Sequence, residues 1–136
     1  MTKYVLDSSA LLRYVDDEAG ADRVAEILAA CVAGRAKVLV TAVQWGEVAG
    51  NLRKRLGGLH EARIMSSLLP SECDIVSVSG ERAIRAAGIK VDRKVAYADA
   101  FALELAMDSP DHLLVTADYD FKDVAGMTNI EFLPLK

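Results

Sequence analysis

Four acids stand at the borders of apolar segments in this 136-residue chain: Asp7, Glu47, Asp99 and Asp118. Asp7 follows Lys-Tyr-Val-Leu, and Asp118 comes just after the apolar run 113–115. Asp99 opens the run Ala-Phe-Ala-Leu-Glu-Leu-Ala, and Glu47 lies between Val43 and Val48 early in a helical stretch, at the border of its apolar stripe. The neighbours of these acids must pack in a core, so the carboxylates gather wherever the segment ends gather. Ionised carboxylates a few ångströms apart raise one another's pKa and cost stability unless a cation neutralises them. An all-oxygen donor set selects hard cations, which points to Mg²⁺ with Mn²⁺ able to substitute. One or two such ions bind a phosphodiester, activate an attacking water and stabilise the leaving oxygen, which is nuclease chemistry. Taken singly, Asp7 equally reads as a helix N-cap and Glu47 as a solvated or capping residue.

Other chemistries lack their residues. His60 and His112 are isolated and have no partner at metal-ligand spacing, so nothing suggests zinc. No Ser-His-Asp or Cys-His set is apparent. No glycine loop follows the first apolar run, which removes a dinucleotide fingerprint and a P-loop. Cys31 and Cys73 match no metal or redox spacing and read as buried, reduced thiols.

The elements that must position the acids follow from periodicity and punctuation. Residues 3–7 read as a strand ending on Asp7, and Ser8-Ser9 open a helix. After the polar break 16–20, apolar residues 24, 27, 28 and 31 mark an amphipathic helix over 21–32. Residues 37–41 read as a second strand, and Thr41 with Gln44 forms a capping-box signature for a helix to about residue 55. Gly57-Gly58 separates it from a helix over 59–69, closed by Pro70, and the pair reads as a hairpin projecting from the sheet. A strand over 73–78, a short helix over 81–87 ended by Gly88, and a basic loop over 90–95 lead to the helix carrying Asp99 on its first turn. After Asp118 come a turn with Asp120 and Phe121 and an edge strand over 129–133, stopped by Pro134. Strands alternating with helices predict a three-layer α/β/α sandwich with a mainly parallel central sheet, one domain over 1–136. In such sheets ligands bind beyond the carboxyl ends of the strands, where Asp7 and Asp118 are placed.

Hydrophobic residues make up 52% of the chain and charged residues 26%, which excludes disorder. The longest apolar run, 27–33, is far below the ~18 residues of a membrane span, and the first apolar stretch stops at Asp7, so the chain is expected in the cytosol. The net charge of −4 is unevenly spread. Residues 50–95 hold nine basic and five acidic side chains, net +4, leaving −8 for the remainder. A basic middle beside acidic ends suits a phosphate-binding face next to a metal-binding cleft, with Arg53, Lys54, Arg55, Arg93 and Lys94 as candidates to hold phosphates, and reads equally as solvated helix faces.

Four stretches carry a resemblance: Tyr4-Val-Leu-Asp7-Ser-Ser-Ala-Leu-Leu, Gln44-Trp-Gly-Glu47-Val, Tyr97-Ala-Asp99-Ala-Phe-Ala-Leu-Glu-Leu-Ala, and Leu114-Val-Thr-Ala-Asp118-Tyr-Asp120-Phe. In this order they resemble the four motifs of PIN-domain proteins, and the size is similar to VapC-type toxins of toxin-antitoxin pairs. The resemblance implies that Asp7, Glu47, Asp99 and Asp118 form the metal-binding catalytic set. Ser9 would match the small hydroxyl residue beside the first acid, and Asp120 an additional acid. It further implies Mg²⁺-dependent endoribonuclease activity, homodimerisation and inhibition by a cognate antitoxin. Two alternatives differ in class: a receiver-like signalling domain, and a non-enzymatic RNA- or protein-binding module of the same fold.

Overall fold

A computed structural model describes residues 1–136. The chain forms β1 (Lys3–Leu6), α1 (Ser8–Val15), α2 (Ala21–Val32), β2 (Lys37–Thr41), α3 (Ala42–Leu56), α4 (Gly58–Ser67), β3 (Asp74–Val76), α5 (Gly80–Arg93), α6 (Tyr97–Ala106), β4 (His112–Thr116), a 3₁₀ helix (Tyr119–Val124) and β5 (Ile130–Phe132). Every strand pairing is parallel, in the order β3-β2-β1-β4-β5. Alternation along the strands sends Leu6, Val38, Val40 and Val115 to one face, against Leu11, Val24, Ile27, Val48 and Leu52 of α1, α2 and α3. It sends Val5 and Leu114 to the other, against Leu103, Leu105 and Ala106 of α6 and Phe121. The three-layer expectation holds, and the sheet is wholly rather than mainly parallel.

The order places the site. The chain winds outward from β1 through β2 to β3, then returns to lay β4 on the other flank of β1. Its winding therefore reverses between β1 and β4, and the crevice at such a switch point is where α/β sheets bind ligands. The same order differs from the 2-1-3-4-5 sheet of receiver-type domains, which sets that alternative aside.

Helix α6 departs from a one-sided amphipathic helix. Its residues from Ala100 to Ala106 are all buried, Glu104 included, so the helix is enclosed on every side. Alanines at 98, 100, 102 and 106 keep it slim enough for that position. The Glu104 carboxylate is compensated there by Arg82, at 2.8 and 3.0 Å, and by Arg85, at 3.2 Å.

Three local expectations are corrected. Gly88 does not end α5, which continues to Arg93 and absorbs most of the expected basic loop. A glycine inside a helix costs only about 1 kcal/mol. Against that, Ala83, Ala86 and Ile89 pack on Ala100 and Phe101, and the arginine–Glu104 pairs hold α5 to α6. The left-handed turn that stops the helix is at Lys94, with φ 57°. Strand β3 shrinks to three residues at the sheet edge, with Asp74 and Ile75 exposed, and β5 likewise keeps only Ile130–Phe132. The capping box is half made: the Thr41 hydroxyl accepts from the Val43 and Gln44 backbone N–H groups, while the Gln44 side chain turns away into the core. The two thiols are free, as expected, but only Cys31 is buried, whereas Cys73 is half-buried just before the edge strand β3, and their sulfurs lie 3.8 Å apart. Burial, with Cys31 beside it, pushes the Cys73 thiol up to about 12.

Candidate active site

Asp7 follows β1 and caps α1. Its Oδ1 accepts from the Ala10 backbone N–H at 2.9 Å and from the Ser9 hydroxyl at 2.7 Å, and its Oδ2 accepts from the Thr116 hydroxyl at 2.5 Å. The capping reading and the site reading of Asp7 are therefore compatible, since one carboxylate does the capping from a position in the crevice. Asp7 is only 2% exposed. Burial drives its pKa up to about 6 despite these three hydrogen bonds, with the nearby Asp118 charge adding to the rise.

Asp118 lies two residues beyond the end of β4. Its backbone N–H donates to Thr116 Oγ1 at 2.9 Å, and its Oδ1 accepts from the Asp120 backbone N–H at 2.9 Å, capping the 3₁₀ helix. Asp99 is half-buried on the first turn of α6, where the enclosure of that helix begins. Its pKa is also pushed up to about 6, first by burial and then by the charges of Asp118, Asp7, Glu47 and Asp120. That set of perturbing charges defines the site: every acid predicted from the sequence acts electrostatically on Asp99. Glu47 is more exposed than the border of an apolar stripe implies, and its Oε1 accepts from the Ser8 hydroxyl at 3.1 Å. Asp120 is exposed at the rim.

Two hydroxyls tie the ends of β1 and β4 together. Ser9 Oγ donates to Asp7 and accepts from the Ala117 backbone N–H at 2.9 Å, and it lies 3.2 Å from Thr116 Oγ1. Thr116, fully buried, links Asp7 to the backbone of Asp118. Thr116 and Gln44 are the site residues that sequence reasoning missed. The first had a signal, a hydroxyl at the last position of a buried strand two residues before an acid. The second was read only as half of a cap, although it shares the i, i+4, i+8 stripe of Val48 and Leu52, all three buried.

None of the chain's ion pairs includes Asp7, Glu47, Asp99, Asp118 or Asp120. The crevice thus concentrates acids with no basic side chain to balance them, an oxygen-only donor set that suits a hard divalent cation. No group of three or more His, Cys, Asp or Glu side chains is arranged to hold a metal ion directly. The fit lies in charge and donor type. The basic candidates occupy two places. Arg93 and Lys94 end α5 within a short connection of the Asp99 helix, whereas Arg53, Lys54 and Arg55 lie on the last turn of α3, roughly 9–12 Å along the axis from Glu47. Arg55 is already engaged, by Asp16 at 3.1 Å and by Asn51 at 2.7 Å.

Solved structures share this architecture. VapBC2 from Rickettsia felis, bound to a DNA fragment from its promoter, matches with a TM-score of 0.75 and 11% identity over 98% of this chain and 100% of that one. DNA-bound VapBC from Salmonella typhimurium gives 0.70 and 15%, over 97% and 98%. VapC20 from Mycobacterium tuberculosis, a toxin that cleaves the sarcin-ricin loop, gives 0.70 and 14%, over 96% and 99%. No curated protein matches the sequence. The PIN-domain family model matches residues 4–127, which take in four of the five strands and every acid of the crevice, and the chain belongs to the PIN-domain family.

Proposed function

We propose that this protein is a Mg²⁺-dependent endoribonuclease, a VapC-type toxin held in check by a cognate antitoxin, and that residues 1–136 act as one domain. The observation that carries the reading is the unbalanced acidic crevice at the β1/β4 switch point of a PIN-domain chain, with Asp99 under the field of four other carboxylates. Asp7, Asp99 and Asp118 would hold the principal ion, with Mn²⁺ able to replace Mg²⁺, and Glu47 would help a second ion or orient the attacking water. When bound, the ion supplies an acidified water and a counter-charge for the departing oxygen. The chain's own part is orientation. Ser9 and Thr116 hold the Asp7 carboxylate by both oxygens, the α1 backbone fixes it from the third side, and Asp118 is set by the Thr116 hydroxyl. Arg93 and Lys94 would hold the RNA backbone near the acids, with Arg53, Lys54 and Arg55 extending the contact. Relatives of the same fold are recorded in toxin–antitoxin complexes and as an RNA-cleaving toxin, which supports RNA as substrate and an antitoxin as partner. The reading includes homodimerisation, for which Ile84 and Val91, 74% and 72% exposed and seven residues apart on α5, offer an apolar stripe.

The test is cleavage of a pool of cellular RNA by the purified protein with Mg²⁺ or Mn²⁺, with EDTA, and with the Asp99→Asn variant. Cutting that needs the metal and is lost in the variant is the expected result. Undiminished cutting by Asp99→Asn, or none by the wild type once a co-purified inhibitor has been removed, overturns the assignment.

A further inference from the structure

The polar residue Gln44 occupies a position that the fold would fill with an apolar one. It is fully buried, and it lies on the α3 stripe that continues with Val48 and Leu52. A carboxamide there costs stability unless both of its ends are hydrogen-bonded. Both are: Oε1 accepts from the Ser8 backbone N–H at 2.6 Å, and Nε2 donates to the Ala98 carbonyl at 2.7 Å. The partners fix the orientation, because an N–H must meet the oxygen and a carbonyl must meet the NH₂ group. The bonded groups belong to particular peptide units. Ser8 N–H is in the peptide that follows Asp7, and the Ala98 carbonyl is in the peptide that precedes Asp99. One side chain therefore spans the backbone of two acids that are 92 residues apart in the chain, at the N-cap of α1 and on the first turn of α6.

We propose that Gln44 is a positioning residue of the acidic site, whose carboxamide strap sets the separation of Asp7 and Asp99 across the crevice. The inference rests on the ribonuclease reading above. Packing alone does not call for this residue, since Leu or Met would fill the stripe, and only an amide of this length offers a donor and an acceptor to both peptides at once. Asp7 is immobilised by its own three hydrogen bonds, whereas no side-chain hydrogen bond holds Asp99, so the strap is the polar link between the Asp99 segment and the rest of the site.

The experiment compares wild type, Gln44→Met, Gln44→Asn and Asp99→Asn by thermal unfolding with and without Mn²⁺, and by steady-state RNA cleavage. Gln44→Met keeps the volume and loses both bonds, and Gln44→Asn keeps an amide too short to reach both partners. The expected result is a Mn²⁺-induced rise in Tm reduced to less than half of the wild-type rise, and a fall in kcat of about 100-fold, the scale of a 1 Å misplacement, with KM for RNA unchanged. Lower Tm values with a wild-type Mn²⁺ increment and wild-type kcat would show that Gln44 only packs, and would overturn the proposal while leaving the ribonuclease reading intact. If Gln44→Met does not fold, Gln44→Asn decides by the same comparison, and failure of both assigns Gln44 to the fold itself and overturns the proposal. A wild type that neither responds to Mn²⁺ nor cuts RNA removes both readings together.

Discussion

Replacing Asp7 by Asn is expected to stabilise the metal-free protein at neutral pH while destroying its activity. Asp7 has a folded-state pKa of about 6 against an ordinary 3.8, so the folded protein binds its proton more tightly than the unfolded chain does. The linkage sign follows: the penalty for this group is absent below pH 3.8, grows as pH rises between 3.8 and 6, and is fully present above 6. At 1.36 kcal/mol per unit, its size is about 3 kcal/mol, which is about 10 °C in Tm for a chain of this length. The group is almost wholly buried, so solvent does little to screen it. Asn keeps an acceptor for Ala10 N–H and Ser9 but must turn its NH₂ toward Thr116 Oγ1, so the realised gain falls below this ceiling. Urea unfolding in EDTA at pH 4.5 and pH 7.5 measures the effect. Wild type should lose stability between the two pH values, and Asp7→Asn should lose markedly less and exceed wild type at pH 7.5. A variant less stable than wild type at pH 7.5, with the same pH slope, would refute the reasoning. Adding Mg²⁺ should reverse the ranking, because only the wild type keeps the full acidic set.

Further outcomes test other parts of the molecule. Thr116→Val removes the donor to Asp7 Oδ2 and the acceptor for Asp118 N–H inside a buried strand end, and should cost about 1–3 kcal/mol; urea titration reads the loss, and an unchanged midpoint would refute it. Glu104→Ala removes the buried acceptor of Arg82 and Arg85, leaving Arg82 its pair with Asp108 and Arg85 to solvent, and should destabilise by about 1–3 kcal/mol, with a double-mutant cycle against Arg82 showing coupling. Gly20→Ala meets Leu133 Cβ at 2.8 Å in a backbone with φ 94°, and should lower stability by about 1–3 kcal/mol in thermal unfolding. Lys94→Glu should weaken RNA binding and flatten its dependence on salt by about one unit of slope, whereas Arg55→Glu, which breaks a surface pair with Asp16, should change binding less.

Much of the sheet and its helices was legible because local signals there agreed with the tertiary structure. Residues 21–32 and 37–41 form the predicted helix and strand at the predicted limits, since apolar spacing and polar breaks coincide. That the acids gather was legible for the same reason, each sitting next to residues that had to be buried. What the sequence concealed depends on contacts between distant segments. Gly88 reads as a helix stop, but its helix is held by Glu104 and Phe101 of another element. Gln44 reads as a cap because its true partners, Ser8 and Ala98, lie 36 and 54 positions away. The hydrogen bond of Glu47 to Ser8 was hidden by the 39 positions between them, and the Cys31–Cys73 contact by the 42 positions between the two thiols.

The strand order also bears on how this chain is made. β1 lies between β2 and β4, and its pairing with β4 joins Leu6 to Val115, so one edge of β1 stays bare until the distal part of the chain has emerged. At about 5–20 residues per second of synthesis, that interval lasts roughly 5–20 s. Throughout it the crevice has only one wall: Asp7 is present, but Thr116 and Asp118 are not yet translated. A nascent or prematurely terminated chain thus lacks one side of the crevice, and the acids of β1 and β4 come together only when β4 docks beside β1.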